Sequence, residues 1–359
     1  MTASVSILMP VYNGMPYVRQ AVQSVLDQTL RDWRCVIVND GSTDGTRDFL
    51  NSIGDDRFVI LHQENGGIAA AVNHGLEHCH TPYVARMDAD DVALPTRLAE
   101  QVVFLDAHLE CGLVGTQTAP FGERGAGASL KLPLEHDAIM RALITGRHAM
   151  AHSSIMVRTD VLRQVGGYWS LPMGEEYDIM LRIGEVARLA NLDRVLLLYR
   201  VHQASMNGSR MRQMRISVAY AGELARRRQR GLPTISFDEY LAQRDTRPWW
   251  QQAVETIEIH SRNQYRVALA ERYGGHPWRG SVRLAWAAMC APRLTIERLI
   301  RVSGGLRNQL LRRKRPVGGL SEADDCADCP ANSASETPPT GSTSRFSTEQ
   351  KGYRERATA

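Results

Sequence analysis

The stretch Asp88-Ala89-Asp90-Asp91 places three carboxylates within four residues, directly after the apolar run Tyr83 to Met87 (YVARM). Carboxylates crowded in this way repel one another unless a proton or a cation neutralises them. A hard divalent ion such as Mg2+ or Mn2+ prefers oxygen ligands and often shares them with substrate phosphates. The apolar run reads as a buried strand, so the cluster falls at a strand C-terminus, where open α/β sheets bind their ligands. A second acidic group, Glu175, Glu176 and Asp178, stands where a helix begins. Carboxylates there complement the helix dipole, and one of them is suited to take a proton from an attacking hydroxyl. Asp178 also has the spacing for an ion pair with Arg182 one turn on. Tyr12 offers a ring that stacks on a planar base, and Asp40 a carboxylate that accepts from a base N–H. Ser42 and Thr43, just beyond, read as helix-capping residues.

The elements that must position these groups alternate. Val5 to Met9 and Cys35 to Val38 are strand-like, as are Phe58 to Leu61 and the Tyr83 run. Between them Val18, Ala21, Val22 and Val25 recur at helical spacing, Thr46 to Ile53 forms a short helix, and Ile68 to Leu76 a longer one. Leu98, Val102, Leu105 and Leu109 mark a further helical face. This order predicts an α/β fold with a mainly parallel sheet flanked by helices. It brings the segments after Pro10, Val38 and Met87 to one sheet edge. The Gly- and Ala-rich residues 117–130 read as an exposed loop, a flap over the crevice.

Four motifs occur in an order seen in family 2 glycosyltransferases: Pro10 to Asn13 (PVYN), Val38 to Gly45 (VNDGSTDG), Asn65 to Asn73 (NGGIAAAVN) and Met87 to Asp91 (MDADD). The chain resembles that family over residues 4–206. The resemblance implies a GT-A fold and an inverting transfer of a sugar, expected from a UDP-sugar, to a saccharide or lipid-linked saccharide in surface polysaccharide or glycolipid assembly. It places Pro10, Tyr12, Asn13, Asp40 and Gly67 on the donor, Asp88 on the ribose or the metal, and Asp90 on a Mn2+ or Mg2+ ion. The family's usual Glu-Asp base motif aligns with Glu175-Glu176, so Glu176 is the first candidate base and Asp178 the second. The segment His152 to Arg158 with Gly166, Gly167 and Tyr168 resembles the acceptor side. Tyr199 to His202 (YRVH) resembles the motif in which Arg200 and His202 approach the diphosphate or the metal. An alternative is a non-catalytic nucleotide-sugar-binding or assembly subunit of the same fold, against which the intact acidic groups argue. A nucleotidyltransferase would carry a Gly-rich, basic loop after the first strand, and Pro10 to Gly14 is not one.

The 359 residues carry a formal charge of +4, too small to argue for nucleic acid as a partner. Three segments are expected: a catalytic domain at 1–206, a helical extension at 207–316, and a disordered tail at 317–359 rich in Ser, Thr, Pro and acidic residues. Six scattered cysteines without a disulfide pattern predict a reducing, cytoplasmic setting. Cys326 and Cys329 have CxxC spacing but lack a second ligand pair for zinc. The basic stretch from Arg293 to Arg315 reads either as peripheral contact with an anionic membrane on its inner face or as a solvated helical face. Trp249, Trp250 and Trp278 read first as helix-packing residues and, as the alternative, as interfacial anchors.

Overall fold

The computed structural model describes residues 3–122, 125–129, 131–169, 171, 173–201, 208–273, 276–292 and 294. Its first half is the expected α/β alternation: β1 (Val5–Val11), α1 (Val18–Leu26), β2 (Trp33–Asp40), α2 (Thr46–Asn51), β3 (Phe58–Gln63), α3 (Ile68–Leu76) and β4 (Tyr83–Arg86). Next come β5 (Val92–Ala93), α4 (Arg97–Ala107), β6 (Cys111–Gly122), β7 (Gly125–Ala126), α5 (His136–Ile144), β8 (Met156–Arg158), α6 (Thr159–Gln164), α7 (Glu175–Val186) and β9 (Arg188–Arg200). The sheet order is β3-β2-β1-β4-β8-β6-β9-β5, with β7 hanging on β6. The pairs among β3, β2, β1 and β4 are parallel; β8 lies antiparallel to both β4 and β6.

Residues of β1 and β2 alternate between two cores, as the two-residue period of a strand requires. Ile7, Met9, Cys35 and Ile37 pack toward α1, α2 and α4, whereas Leu8, Val36 and Val38 pack toward α3, α5 and α7. Helices therefore cover both faces, which is why these strands read as continuous apolar runs rather than alternating ones.

Register aligns the strand ends. Val11 pairs with Asn39, Asp40 with Gln63 and Leu8 with Arg86, so the residues after β1, β2 and β4 emerge level at one edge. Because β8 runs the other way, the residues before it, a 3-10 turn at His152–Ser154, reach that same edge.

Two expectations need correction. Residues 117–122 are not an exposed flap but the second half of β6, with Gln117, Thr118, Ala119 and Phe121 buried. This half of the strand continues the ladder to β9, and Gln117 is satisfied through its side chain by the backbone of Leu132. Trp249, Trp250 and Trp278 are exposed rather than packed between helices.

The helices after Asn207 are α8 (Gly208–Gln229), α9 (Phe237–Asp245), α10 (Trp249–Tyr273) and α11 (Pro277–Cys290). Helix α8 lies against α5 and α7, burying Val218, Ala221 and Ala225, and Arg215 and Arg226 donate to the carbonyls of Gly146 and Ile144 at the end of α5. Helices α10 and α11 form an antiparallel pair, joined by Ser261 Oγ to the Ala287 carbonyl and by Arg283 to Glu271. No helix among the described residues is long and apolar enough to cross a membrane. His202, the basic residues from Arg298 to Arg315, Cys326, Cys329 and the 317–359 segment lie outside the described residues.

Candidate active site

Tyr12 follows β1 directly and is 53% exposed, its ring standing over a cleft of about 260 Å³ lined by Pro10, Val11, Asp40, Asn65, Gly67, Ile68 and Ala71. The loops after β1 and β2 are locked together. Asn13 takes a left-handed φ of 50°, its Oδ1 accepts from Thr43 N at 2.7 Å, and its own N–H donates to Ser42 Oγ. Gly14 N and Met15 N donate to Thr46 Oγ1 and Asp44. Asn13 thus shapes the cleft by clamping two loops.

Asp40, at the end of β2, is buried and accepts from Gln63 Nε2 (2.8 Å), Gly66 N (2.8 Å) and Gly67 N (3.0 Å). Its carboxylate therefore caps the N-terminus of α3, an arrangement that suits the helix dipole. Gly67 makes this turn with φ at +82°, a conformation that costs other residues dearly. The amides of Gly66 and Gly67 are engaged with Asp40, so the glycine loop is a rigid wall of the cleft.

The ligand atoms of Asp88, Asp90 and Asp91 all lie within 4.8 Å of one another. Asp91 is buried, and burial, followed by the charges of Asp88 and Asp90, holds its carboxyl well above the usual range. Ser153 ties the cluster to the turn before β8: its Oγ accepts from Asp88 N at 2.9 Å and bonds the Asp91 carboxylate. Asp88 Oδ1 accepts from Arg86 Nη2 at 2.7 Å. The donor set is all oxygen, Asp88 and Asp90 are only half-buried, and their mutual repulsion calls for a cation. These residues fit a hard divalent ion.

Arg200 reaches this cluster from β9, but its guanidinium is used within the protein. Nε donates to the Asp90 carbonyl at 2.8 Å, Nη2 donates to Gln20, and the group lies between the Tyr17 and Phe121 rings at 4.4 and 4.3 Å. Its backbone N–H donates to Asp91 Oδ1 at 2.9 Å. Arg200 thereby fixes the backbone that presents the carboxylates.

On the other side of the crevice α7 begins after Gly174, in the left-handed region at φ +78°. Burial pushes the Glu176 carboxyl up to about 8, with the Glu175 charge second and that of Asp88 also contributing. Glu175 is buried and shifted upward as well, again chiefly by burial. The charge of Arg86 acts in the opposite direction on both. Donor-side and α7 carboxylates therefore share one field.

Asp178 does not join them. It is fully buried and takes Arg182 Nε and Nη2 at 2.8 Å, while Arg182 also donates to the carbonyls of Val165 and Gly167 and lies over the Trp169 ring. Its place is structural, bracing α7 against the loop that carries Tyr168. Tyr168 OH and His152 Nε2 are 2.7 Å apart, and Asn73 clamps the Tyr168 backbone through both its amide atoms. Burial, aided by the charge of Arg86, pulls His152 down to about 3, so the imidazole is neutral at ordinary pH.

Sequence reasoning missed Arg86 and Gln20, and it placed Ser153 in the acceptor-side segment without its role toward the aspartates. Arg86 had a signal, being a cation inside an otherwise apolar strand. It is buried, it bonds Asp88 and the Met87 carbonyl, and its Nε has no partner.

Comparison with known proteins agrees with this architecture. The family model described as Glycosyl transferase family 2 matches residues 6–166. The O-antigen biosynthesis glycosyltransferase WbnJ of Escherichia coli is 33% identical over 213 residues, covering 57% of this chain and 82% of WbnJ. The amylovoran biosynthesis glycosyltransferase AmsE of Erwinia amylovora is 29% identical over 211 residues, covering 57% of this chain and 79% of AmsE. Among solved structures, the mannosyltransferase PcManGT of Pyrobaculum calidifontis, in complex with GDP-Man and Mn2+, has a TM-score of 0.50 at 17% identity, covering 88% of this chain and 89% of PcManGT. That last likeness is one of fold. Fold and sequence together define a glycosyltransferase with a GT-A-like sheet and a C-terminal set of helices. The chain belongs to glycosyl transferase family 2.

Proposed function

We propose that the chain is an inverting transferase that uses Mn2+ or Mg2+ to move a sugar from a nucleoside-diphosphate donor, a UDP-sugar, to a saccharide or lipid-linked saccharide hydroxyl. The observation that carries this reading is the Asp88–Asp90–Asp91 cluster, whose oxygens lie within 4.8 Å of one another at the strand ends, and the raised Glu176 carboxyl feels the charge of Asp88. Tyr12 stacks on the base in the cleft that Pro10, Asp40 and Gly67 wall in. Asp88 and Asp90 hold the metal, which when bound neutralises the charge that grows on the departing diphosphate. Glu176 takes the proton of the acceptor hydroxyl as that oxygen attacks the anomeric carbon from the opposite side. Arg200 and Ser153 keep the carboxylates in place throughout. The oxocarbenium-like transition state is favoured by this fixed arrangement of negative charge.

WbnJ and AmsE bear names from O-antigen and amylovoran biosynthesis, and by that likeness the setting is surface-polysaccharide assembly. The test is a panel of nucleotide sugars with Mn2+ or Mg2+ and candidate acceptors, reading released nucleoside diphosphate and the anomeric configuration of the product by NMR. Metal-dependent release from one donor with inversion supports the reading. Retention of configuration, or release indifferent to chelator, refutes its mechanism.

A further inference from the structure

Helix α11 packs on α10 through Gly280 and Ala287, and at about 100° per residue the opposite side carries Trp278, Val282, Ala285 and Met289, with Trp286 at its margin. That side is uncovered among the described residues: Trp278 is 66% exposed, Val282 62%, Trp286 51% and Met289 67%. Single exposed apolar residues need no explanation, but a continuous stripe holding two tryptophans along one helix does. The charges on the helix itself have one sign. Helix α11 contains Arg279 and Arg283 and no acidic residue. Arg279 lies 5.4 Å over the Trp278 ring, and Arg283 is held by Glu271 and Gln264 on α10. The sequence that follows, from Arg293 to Arg315, has eight basic residues against the single acid Glu297.

We infer that the outer face of α11 is a docking surface for an anionic lipid bilayer. An apolar helix face bearing Trp, flanked by arginine and free of acid, lies in the plane of the headgroups with its apolar side inserted. Tryptophan favours this boundary because its ring is amphipathic, and each basic residue nearby adds attraction to anionic lipid. Helix α11 is too short and too charged to span the bilayer, so the contact is peripheral. The inference stands apart from the proposed chemistry, since it rests on a different surface.

The experiment is co-sedimentation of the full chain with phosphatidylcholine vesicles, with and without phosphatidylglycerol, at low and high salt. Wild type should pellet with the anionic vesicles and be released by salt, and its tryptophan fluorescence should be quenched by brominated lipid. The double variant Trp278→Ser/Met289→Ser replaces two side chains that are 66% and 67% exposed, so its thermal melt should match wild type while vesicle binding falls at least about tenfold. Donor binding by that variant should be unchanged, which separates this test from that of the reaction. No pelleting with anionic vesicles overturns the inference. So does pelleting undiminished in the variant, which would assign binding to the basic run alone. A concentration-dependent dimer that the variant abolishes, without vesicle binding, would give the face to a second copy of the chain and equally overturn it.

Discussion

Replacing Glu176 by glutamine should separate the two consequences of its buried carboxyl. Burial first, then the neighbouring Glu175, raises it from 4.5 to about 8. A folded-state value above the unfolded one means that the native protein binds this proton more tightly. The associated stability is complete below the unfolded value and is lost as pH rises through about 8. Taken whole, a shift of that size corresponds to roughly 5 kcal/mol at 1.36 kcal/mol per unit. Glu176 as a residue is only half-buried although its carboxyl is desolvated, and it shares its repulsion with Glu175, so about 2 kcal/mol is the figure to test. With about 2.1 cal/mol/K of unfolding entropy per residue a chain of this size shifts by roughly 1.5 °C per kcal/mol, so Glu176→Gln should melt roughly 3 °C above wild type near pH 9. Near pH 4 the two should melt together. Transfer by the variant should fall by about 10²–10⁴-fold, with donor affinity unchanged, because glutamine cannot take the acceptor proton. Wild-type turnover should itself climb as the pH passes through about 8. Differential scanning fluorimetry across pH and a nucleoside-diphosphate release assay read both effects. A variant that transfers normally, or that melts below wild type near pH 9, would refute the assignment of the raised carboxyl as the base.

Three other substitutions probe the remaining parts of the crevice. Asp90→Ala should abolish Mn2+-dependent donor binding in calorimetry while leaving the melt near wild type, since Asp90 is half-buried; unchanged metal dependence would remove it from the site. Arg182→Met strands the Asp178 carboxylate in a fully buried position and should destabilise the fold by about 3–5 kcal/mol in urea titration, an effect absent if Asp178 were reached by water. Asp40→Ala deprives Gln63, Gly66 and Gly67 of their shared acceptor; the two glycines are exposed and Gln63 half-buried, so water takes up the freed donors and the loss is about 0.5–1.5 kcal/mol per hydrogen bond. It should lower both stability and donor affinity; loss of affinity alone would mean that the capping contact does not hold the cleft.

The α/β half of the fold was legible because its strands are buried on both faces and its helices carry one apolar stripe. Ile68–Leu76 was read to its bounds, and the level strand ends followed from parallel order. Residues 117–122 misled because the Gly and Ala that follow them signal a loop in isolation, whereas here the ladder to β9 continues as far as Phe121. The exposed tryptophans misled for the converse reason: composition says that a ring is apolar, not that a partner covers it. The acidic groups of the site were all visible in sequence, but their partners were not. That Asp40 caps α3, that Arg200 serves the Asp90 backbone and that Ser153 bridges two aspartates are contacts over 26 to 110 residues of chain, which no local pattern encodes.

The division of labour among the three acids of α7 shows how geometry decides what residue type leaves open. Glu176 and Asp178 differ by about 200° around the helix, so one helix start cannot point both into the same crevice. Asp178 meets Arg182, whose remaining donors hold the Val165–Gly167 backbone and so position Tyr168 against His152. Among the described residues Glu176 meets no such cation at bonding distance, and burial and its acidic neighbours raise it. A paired carboxylate is a poor base because accepting a proton breaks its ion pair. An unpaired, desolvated one gains from the same event. The residue with the weaker structural bonds is therefore the one fitted to move a proton, and Arg182 is what makes Asp178 the other kind.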